Sequence, residues 1–168
     1  MGSATKLSIN RYLTICGEIE KTVALIYDYW SGIPGFDRDL KKLWVEMRDE
    51  EMDHFAQVEL LRRLARGNEI GRRTLDDDNI KELAEFAKTC LDQVKKGWRS
   101  DREALLLAIH LENIFMKFHA TQAFVCDQSG MAKMFNNLAA NDHAHGERLR
   151  QIYLQRFCTE PPQYAQVS

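Results

Sequence analysis

The sequence predicts an all-α protein: four long helices in two antiparallel hairpins, joined by a long crossover that carries an extra helix. Three observations predict it. Apolar residues recur at three- and four-residue spacing along most of the chain, and no stretch alternates as a strand would. Gly and Pro, both poor in helix interiors, cluster at a few breaks. The gaps between the long helical stretches run short, long, short, which makes two hairpins with one crossover between them.

The first helix is expected over residues 8–30, where Ser31-Gly32-Ile33-Pro34-Gly35 stops it. The second follows over 37–66 and ends at Gly67-Asn68 and Gly71. A polar connection over 68–78 leads into a moderately amphipathic helix over 79–96, closed by Gly97. Ser100-Asp101-Arg102-Glu103 is a capping box, in which the Ser and Glu side chains each take up the other's orphan backbone N–H. It opens a helix reaching about residue 127. Ser129-Gly130 makes the next turn, and the last helix covers 131–157 before Pro161-Pro162 ends regular structure. The expected crossover is residues 67–99. One domain spans 1–168, with the bundle core at 8–157 and a frayed tail at 158–168.

Bulk properties narrow the function. With 168 residues, 45% of them hydrophobic and only 3 Pro, the chain can bury one sizeable core. A formal net charge of -2, with both signs interspersed, gives no electrostatic case for nucleic acid or an anionic membrane as partner. The longest purely apolar run, residues 104–109, is too short to span a bilayer, and the first eight residues lack the apolar core of a signal peptide. Cys16, Cys90, Cys126 and Cys158 form no C-x-x-C pair, so no zinc ribbon or rubredoxin-type iron site is encoded. Their scatter suits thiols in a reducing cytoplasm, where the protein is expected to reside.

Residues three, four and seven apart share a helix face. On the first helix that face carries Leu13, Cys16, Glu20, Val23, Ala24, Tyr27 and Trp30, with Glu20 its single charge. Glu18 instead falls with Arg11, Lys21 and Asp28 on a polar face. The second helix presents Leu40, Leu43, Met47, Glu51, His54, Val58 and Leu61, leaving Glu46, Glu50, Asp53 and Glu59 as surface charges. The third long helix presents Leu105, Ala108, Ile109, Glu112, Phe115, Met116, His119 and Ala123. The fourth presents Met131, Met134, Leu138, Asp142, His145, Leu149 and Ile152.

Each apolar stripe is thus broken by an acid, twice with a histidine three places on: Glu51 with His54, and Asp142 with His145. Any one of these patterns arises readily by chance on a charged helix; the ordered set does not. It is the donor set of a carboxylate-bridged two-metal centre, one Glu from each of two helices and an acid-x-x-His pair from each of the others. Buried carboxylates without compensation cost several kcal/mol each, and two bound cations remove that conflict. Carboxylate and imidazole donors suit iron and manganese. The spacing repeats: Glu51 lies 31 residues after Glu20, Asp142 lies 30 after Glu112, and Tyr27 and His119 each follow the lone Glu by seven. A pseudo-two-fold site is expected. Tyr27 is expected to donate to a carboxylate across the bundle. His119, about 10 Å along the helix from Glu112, has three roles open to it: a base beside the ligands, a further ligand, or a hydrogen-bonded core histidine.

These segments resemble the rubrerythrin and ferritin-like di-iron carboxylate superfamily over residues 8–157. Glu20 to Tyr27 resembles that family's first-helix Glu with its following Tyr. Glu51-Met52-Asp53-His54, flanked by Glu50 and Leu60-Leu61, resembles its E-x-x-H, and residues 142–149, from Asp142 through His145 to Leu149, its second such segment. The resemblance implies a ferritin-like four-helix bundle with Glu20, Glu51, His54, Glu112, Asp142 and His145 as metal ligands, Glu51 and Asp142 being the bridging candidates. It implies two iron ions, with manganese or a mixed pair as variants, that react with dioxygen or hydrogen peroxide. An electron donor of unknown identity and a homodimer are also implied. Three features depart from the family: Asp142 stands where Glu is usual, Ile109 stands where rubrerythrins carry an extra carboxylate, and no rubredoxin domain is present.

Four functions compete on this reading. The first is a ferroxidase- or peroxidase-type redox enzyme. The second is an iron storage or detoxification module, which would assemble as a many-subunit cage. The third is a non-catalytic helical interaction protein with relic acids, which would bind no stoichiometric metal. The fourth is a substrate oxygenase, which would need a large apolar pocket beside the metals.

Overall fold

The computed structural model describes residues 7–65, 77–97, 100–125 and 129–162. These form five helices: α1 (Ile9–Ser31), α2 (Arg38–Leu64), α3 (Asp77–Lys96), α4 (Asp101–Val125) and α5 (Ser129–Phe157). No strand occurs among the described residues, as the helical periodicity predicts. Gly67, Asn68, Gly71 and Cys126 lie outside the described residues, as does the tail from 163 on.

The helix starts follow from their caps. Ser8 Oγ accepts the Arg11 N–H at 3.2 Å, and Asp37 Oδ1 accepts the Leu40 N–H at 2.9 Å. The capping box forms as predicted: Ser100 Oγ accepts the Glu103 N–H at 3.3 Å, and Glu103 Oε2 accepts the Ser100 N–H at 3.0 Å. Two starts come earlier than predicted. Asp77 and Asp78 join the first turn of α3, where acids complement the helix dipole. Ser129 and Gly130 join the first turn of α5, whose N–H groups need no partner within the helix. At the end of α5, Cys158 takes φ 52° while its N–H bonds the Leu154 carbonyl at 2.9 Å, a left-handed closure usually given to Gly. Pro161 beyond it is buried, while residues 158–160 and 162 are exposed.

Side-chain pairings fix the directions. Trp30 and Trp44 (4.8 Å between centroids) join one end of α1 to the start of α2, and Arg62 reaches Asn10 at the other end, so these helices are antiparallel. Arg102–Tyr153 and His119–Asp142 make α4 and α5 antiparallel. Tyr12 donates to Gln122 and Tyr27 to Glu112, so α1 faces α4 in opposite directions too. The helices α2 and α4 therefore run the same way. That is possible because α3 carries the chain back along the outside of α1, burying Ile80, Ala84, Ala87, Cys90, Leu91 and Val94. Phe86 on α3 also meets the edge of His110 on α4. Within the first hairpin the Phe55 ring packs against Gly17, where an added Cβ would lie 3.2 Å from it. Toward the other end Tyr27 stacks on Trp44 at 5.7 Å, and Phe36 packs on the same indole.

One ionic clamp closes the end where α5 finishes. Arg156 bonds both oxygens of Asp37 (2.7 and 3.0 Å) and reaches Asp101 at 3.4 Å, tying together the starts of α2 and α4. Hydrogen bonds from Arg156 and then from the Leu40 N–H hold Asp37 down at about 2.

Ser100→Ala removes the reciprocal cap of α4 and is expected to cost about 1 kcal/mol of unfolding free energy, measured by urea denaturation. Trp44→Ala empties the centre of the aromatic cluster and is expected to cost about 3–5 kcal/mol in the same assay.

Candidate metal centre

The four stripes turn inward as their periodicity requires, and each delivers its acid to one level of the bundle. Glu20, Glu51, Glu112 and Asp142 are all buried, with His54, His119 and His145 between them. Glu18, by contrast, is exposed, in line with the choice of Glu20 as the inward acid. Coordinating atoms of Glu51, Glu112, Asp142 and His145 all lie within 4.8 Å of one another, as do those of Glu20, Glu51 and His54. Glu51 belongs to both groups. All six residues expected as ligands are therefore brought together, and they could hold a metal ion.

The orientation of the atoms is more informative than their proximity. His54 Nδ1 lies 3.2 Å from Glu51 Oε2, 3.5 Å from Glu20 Oε2 and 3.7 Å from Asp142 Oδ1. His145 Nδ1 lies 3.3 Å from both Glu51 Oε1 and Glu112 Oε2. Yet neither Nδ1 makes a hydrogen bond, and Glu51 Oε1 and Glu20 Oε1 are likewise buried without one. Each nitrogen faces the space between carboxylates rather than any one oxygen. Donors bound about 2.1 Å from a common cation sit roughly 3.0–3.4 Å apart, so most of these separations fit a shared cation.

The outward-facing oxygens have partners. Tyr27 Oη donates to Glu112 Oε1 at 2.5 Å, leaving Oε2 turned toward His145. His119 Nδ1 meets Asp142 Oδ2 at 2.7 Å, and its Nε2 lies 3.2 Å from Glu20 Oε1 at an angle too poor for a hydrogen bond. The expected donation from Tyr27 across the bundle is present. His119 is a buried histidine braced between two carboxylates, and one oxygen of Asp142 is committed to it. Among these carboxylates, Glu51 faces both His54 and His145, one with each oxygen.

Three residues at the site were not foreseen. Glu50, which the sequence places among the surface charges, is half-buried; its Oε2 is 3.0 Å from His145 Nε2, and Arg148 bonds both of its oxygens. Asn141 places its side-chain amide 3.2 Å from His54 Nε2. Glu50 sits one residue off the stripe, and the partners of all three lie on other helices, so local periodicity carries no signal for them. These residues also line a cleft of about 380 Å³ between α2 and α5, together with Asp53, His54, Gln57, Ala144 and His145. It opens onto the two histidines. Ile109, one turn before Glu112, is buried in the apolar core.

Without metal the cluster balances itself by moving protons. Burial opposes charge on His54, but Glu20 and Glu51 carry it up to about 11. Burial likewise opposes charge on His119 and His145, yet their carboxylate partners raise both to about 10. Glu20 is desolvated too, but His119 and His54 hold its carboxyl far below the usual range. Burial and then the charge of Glu51 push Glu112 up to about 8. Burial also raises Asp142, with His119 working against it. Burial and the neighbouring charges of Glu112 and Glu51 raise Tyr27, which stays a phenol donor.

Neither a family model nor a curated protein nor a solved structure matches this chain. Among the described residues, no helix is long and apolar enough to cross a membrane.

The pH dependence of the metal-free protein follows from these directions. A histidine raised from 6.5 to about 10 or 11 contributes stability that is complete below 6.5 and is lost as pH rises through its folded value. Glu112 acts in the same sense, because the unfolded chain releases its proton near 4.5 and the folded protein keeps it to about 8. Thermal unfolding in chelator should therefore fall progressively in temperature from about pH 6 to about pH 10. A flat or rising profile would contradict the buried charge network.

Proposed function

We propose that the chain is a ferritin-like, rubrerythrin-related protein. In this reading its centre holds two iron ions and oxidises ferrous iron with dioxygen or hydrogen peroxide. The observation that carries it is the placement of Glu51, whose Oε1 faces His145 Nδ1 at 3.3 Å while its Oε2 faces His54 Nδ1 at 3.2 Å. A carboxylate split between two imidazoles is what a bridge between two cations requires. Two hairpins with a single crossover also suit the ferritin-like bundle, whose centre is built from this donor set. When bound, an iron pair supplies the electron-transfer steps to an oxygen oxidant that no side chain here can; manganese or a mixed pair suits the same donors.

The chain's own residues have distinct tasks. Glu20 and His54 would hold one side, Glu112 and His145 the other, and Glu51 would serve both. Asp142 turns Oδ1 inward while His119 holds its Oδ2, which would leave it one oxygen to offer a metal ion. Tyr27 fixes the inward turn of Glu112. The cleft between α2 and α5 gives a small oxidant its way in. Its lining is polar except for Ala144, which suits peroxide or dioxygen better than an apolar organic substrate and weakens the oxygenase reading. Ile109 at the position of the extra rubrerythrin carboxylate favours ferroxidase chemistry over rubrerythrin-type peroxidase cycling. By the same resemblance we expect a homodimer and a separate electron donor.

Protein loaded anaerobically with ferrous iron should bind about two irons per chain, and an absorption band should appear on exposure to air or peroxide. Glu51→Ala should abolish paired binding. Failure to bind stoichiometric iron, manganese or zinc, with stability indifferent to chelators, would instead leave a helical interaction protein. A sedimentation experiment on the loaded protein separates a dimer from a storage cage.

A further inference from the structure

The two halves of the centre repeat in spacing but not in support. On one side Glu51, Glu112, Asp142 and His145 converge; on the other, only Glu20, Glu51 and His54 meet the same mutual separation. Asp142 Oδ1 also approaches His54 Nδ1, at 3.7 Å, so Asp142 borders both halves while converging with the first. The partners behind the histidines differ more. Both rings turn Nδ1 toward the carboxylates and Nε2 outward. Behind His145 stands the carboxylate of Glu50, 3.0 Å from Nε2 and itself pinned by Arg148 through both oxygens. Behind His54 stands the side-chain amide nitrogen of Asn141, 3.2 Å from Nε2, a donor rather than an acceptor.

A carboxylate accepting the outer N–H of an imidazole fixes its tautomer and makes the inner nitrogen a better electron-pair donor, and losing such a partner typically costs 10–100-fold in metal affinity. An amide nitrogen donates to the outer nitrogen instead of accepting its N–H, and so gives the inner nitrogen no such strengthening. The half with more converging donors is therefore also the half with the strengthened imidazole. We propose that the centre binds divalent cations unequally and in order, at Glu51, Glu112, Asp142 and His145 first and at Glu20, Glu51 and His54 second, with Glu50 as the positioning residue that sets the order. This rests on the two-metal reading above and adds that the two positions are not interchangeable.

Cobalt(II) is a suitable probe, because its visible absorption reports each coordination step. The full chain is stripped of metal and titrated anaerobically with cobalt. Two steps should appear, the first at least about tenfold tighter than the second. Glu50→Gln should weaken the first step by about 10–100-fold, leave the second in place, and merge the two into one broad transition. His145→Ala should remove the tight step and His54→Ala the weak one, which assigns them. Asn141→Asp, which puts a carboxylate behind His54, should tighten the second step. Glu50 is 40% exposed at its side chain, and Arg148 keeps Glu46 within 3.9 Å, so the Gln variant should fold; circular dichroism checks this.

Two equal steps in the unmodified protein, or a Glu50→Gln effect that moves both steps together or neither, would overturn the ordered reading while leaving a two-metal centre. Assignment of the tight step to His54 would overturn it as well. Absence of any stoichiometric cobalt would overturn the two-metal reading itself.

Discussion

Four carboxyl groups buried at one level of a helical bundle are the constraint on which this molecule turns. Left unpaired, each would cost several kcal/mol and repel the others. The metal-free protein answers with three imidazoles placed among them, and proton positions shift until charge is balanced: Glu20 is kept ionised and Glu112 is pushed toward its neutral form. That balance is incomplete in geometry. The inner nitrogens of His54 and His145 are buried with no hydrogen bond, an arrangement that folding alone would not be expected to favour. The interior thus keeps buried donor atoms that could hold a metal ion.

The topology makes this possible. Because α3 returns the chain along the outside of α1, the two hairpins face each other with equivalent helices running alike, and each lone glutamate meets a group from the opposite hairpin. Tyr27 of α1 holds Glu112 of α4, while His119 of α4 lies against Glu20 of α1. The same seven-residue offset generates both contacts. The symmetry is broken by the shorter Asp142, which His119 also reaches.

Much of this was legible in the sequence because it is a property of single helices. Which acids point inward follows from three- and four-residue spacing, and Glu20 is separated from Glu18 by that rule alone. The hairpin order follows from Gly and Pro placement and from a capping box whose bonds are local. What periodicity could not supply were contacts set by the distance and rotation between helices. Glu50 reads as one more surface acid until α5 brings His145 and Arg148 against it. Asn141 looks like an ordinary polar residue until His54 arrives. The same limit applies to His119, whose three candidate roles are separated only when its neighbours on α1 and α5 are in place. Boundaries at Asp77 and Ser129 shifted because first-turn residues need no helical partner for their N–H groups, so local sequence constrains them weakly.

The contact of Tyr27 with two very different neighbours has an optical consequence. Its hydroxyl bonds Glu112, and its ring lies flat on Trp44 with an interplanar angle of 6°. Trp44 in turn sits 4.8 Å from Trp30, and both indoles are shielded from water. Any event that draws Glu112 toward the middle of the bundle pulls on a phenol stacked against an indole pair. Paramagnetic ions nearby would quench that pair directly. Emission from Trp30 and Trp44 would thus respond to what the polar interior holds, with no added label.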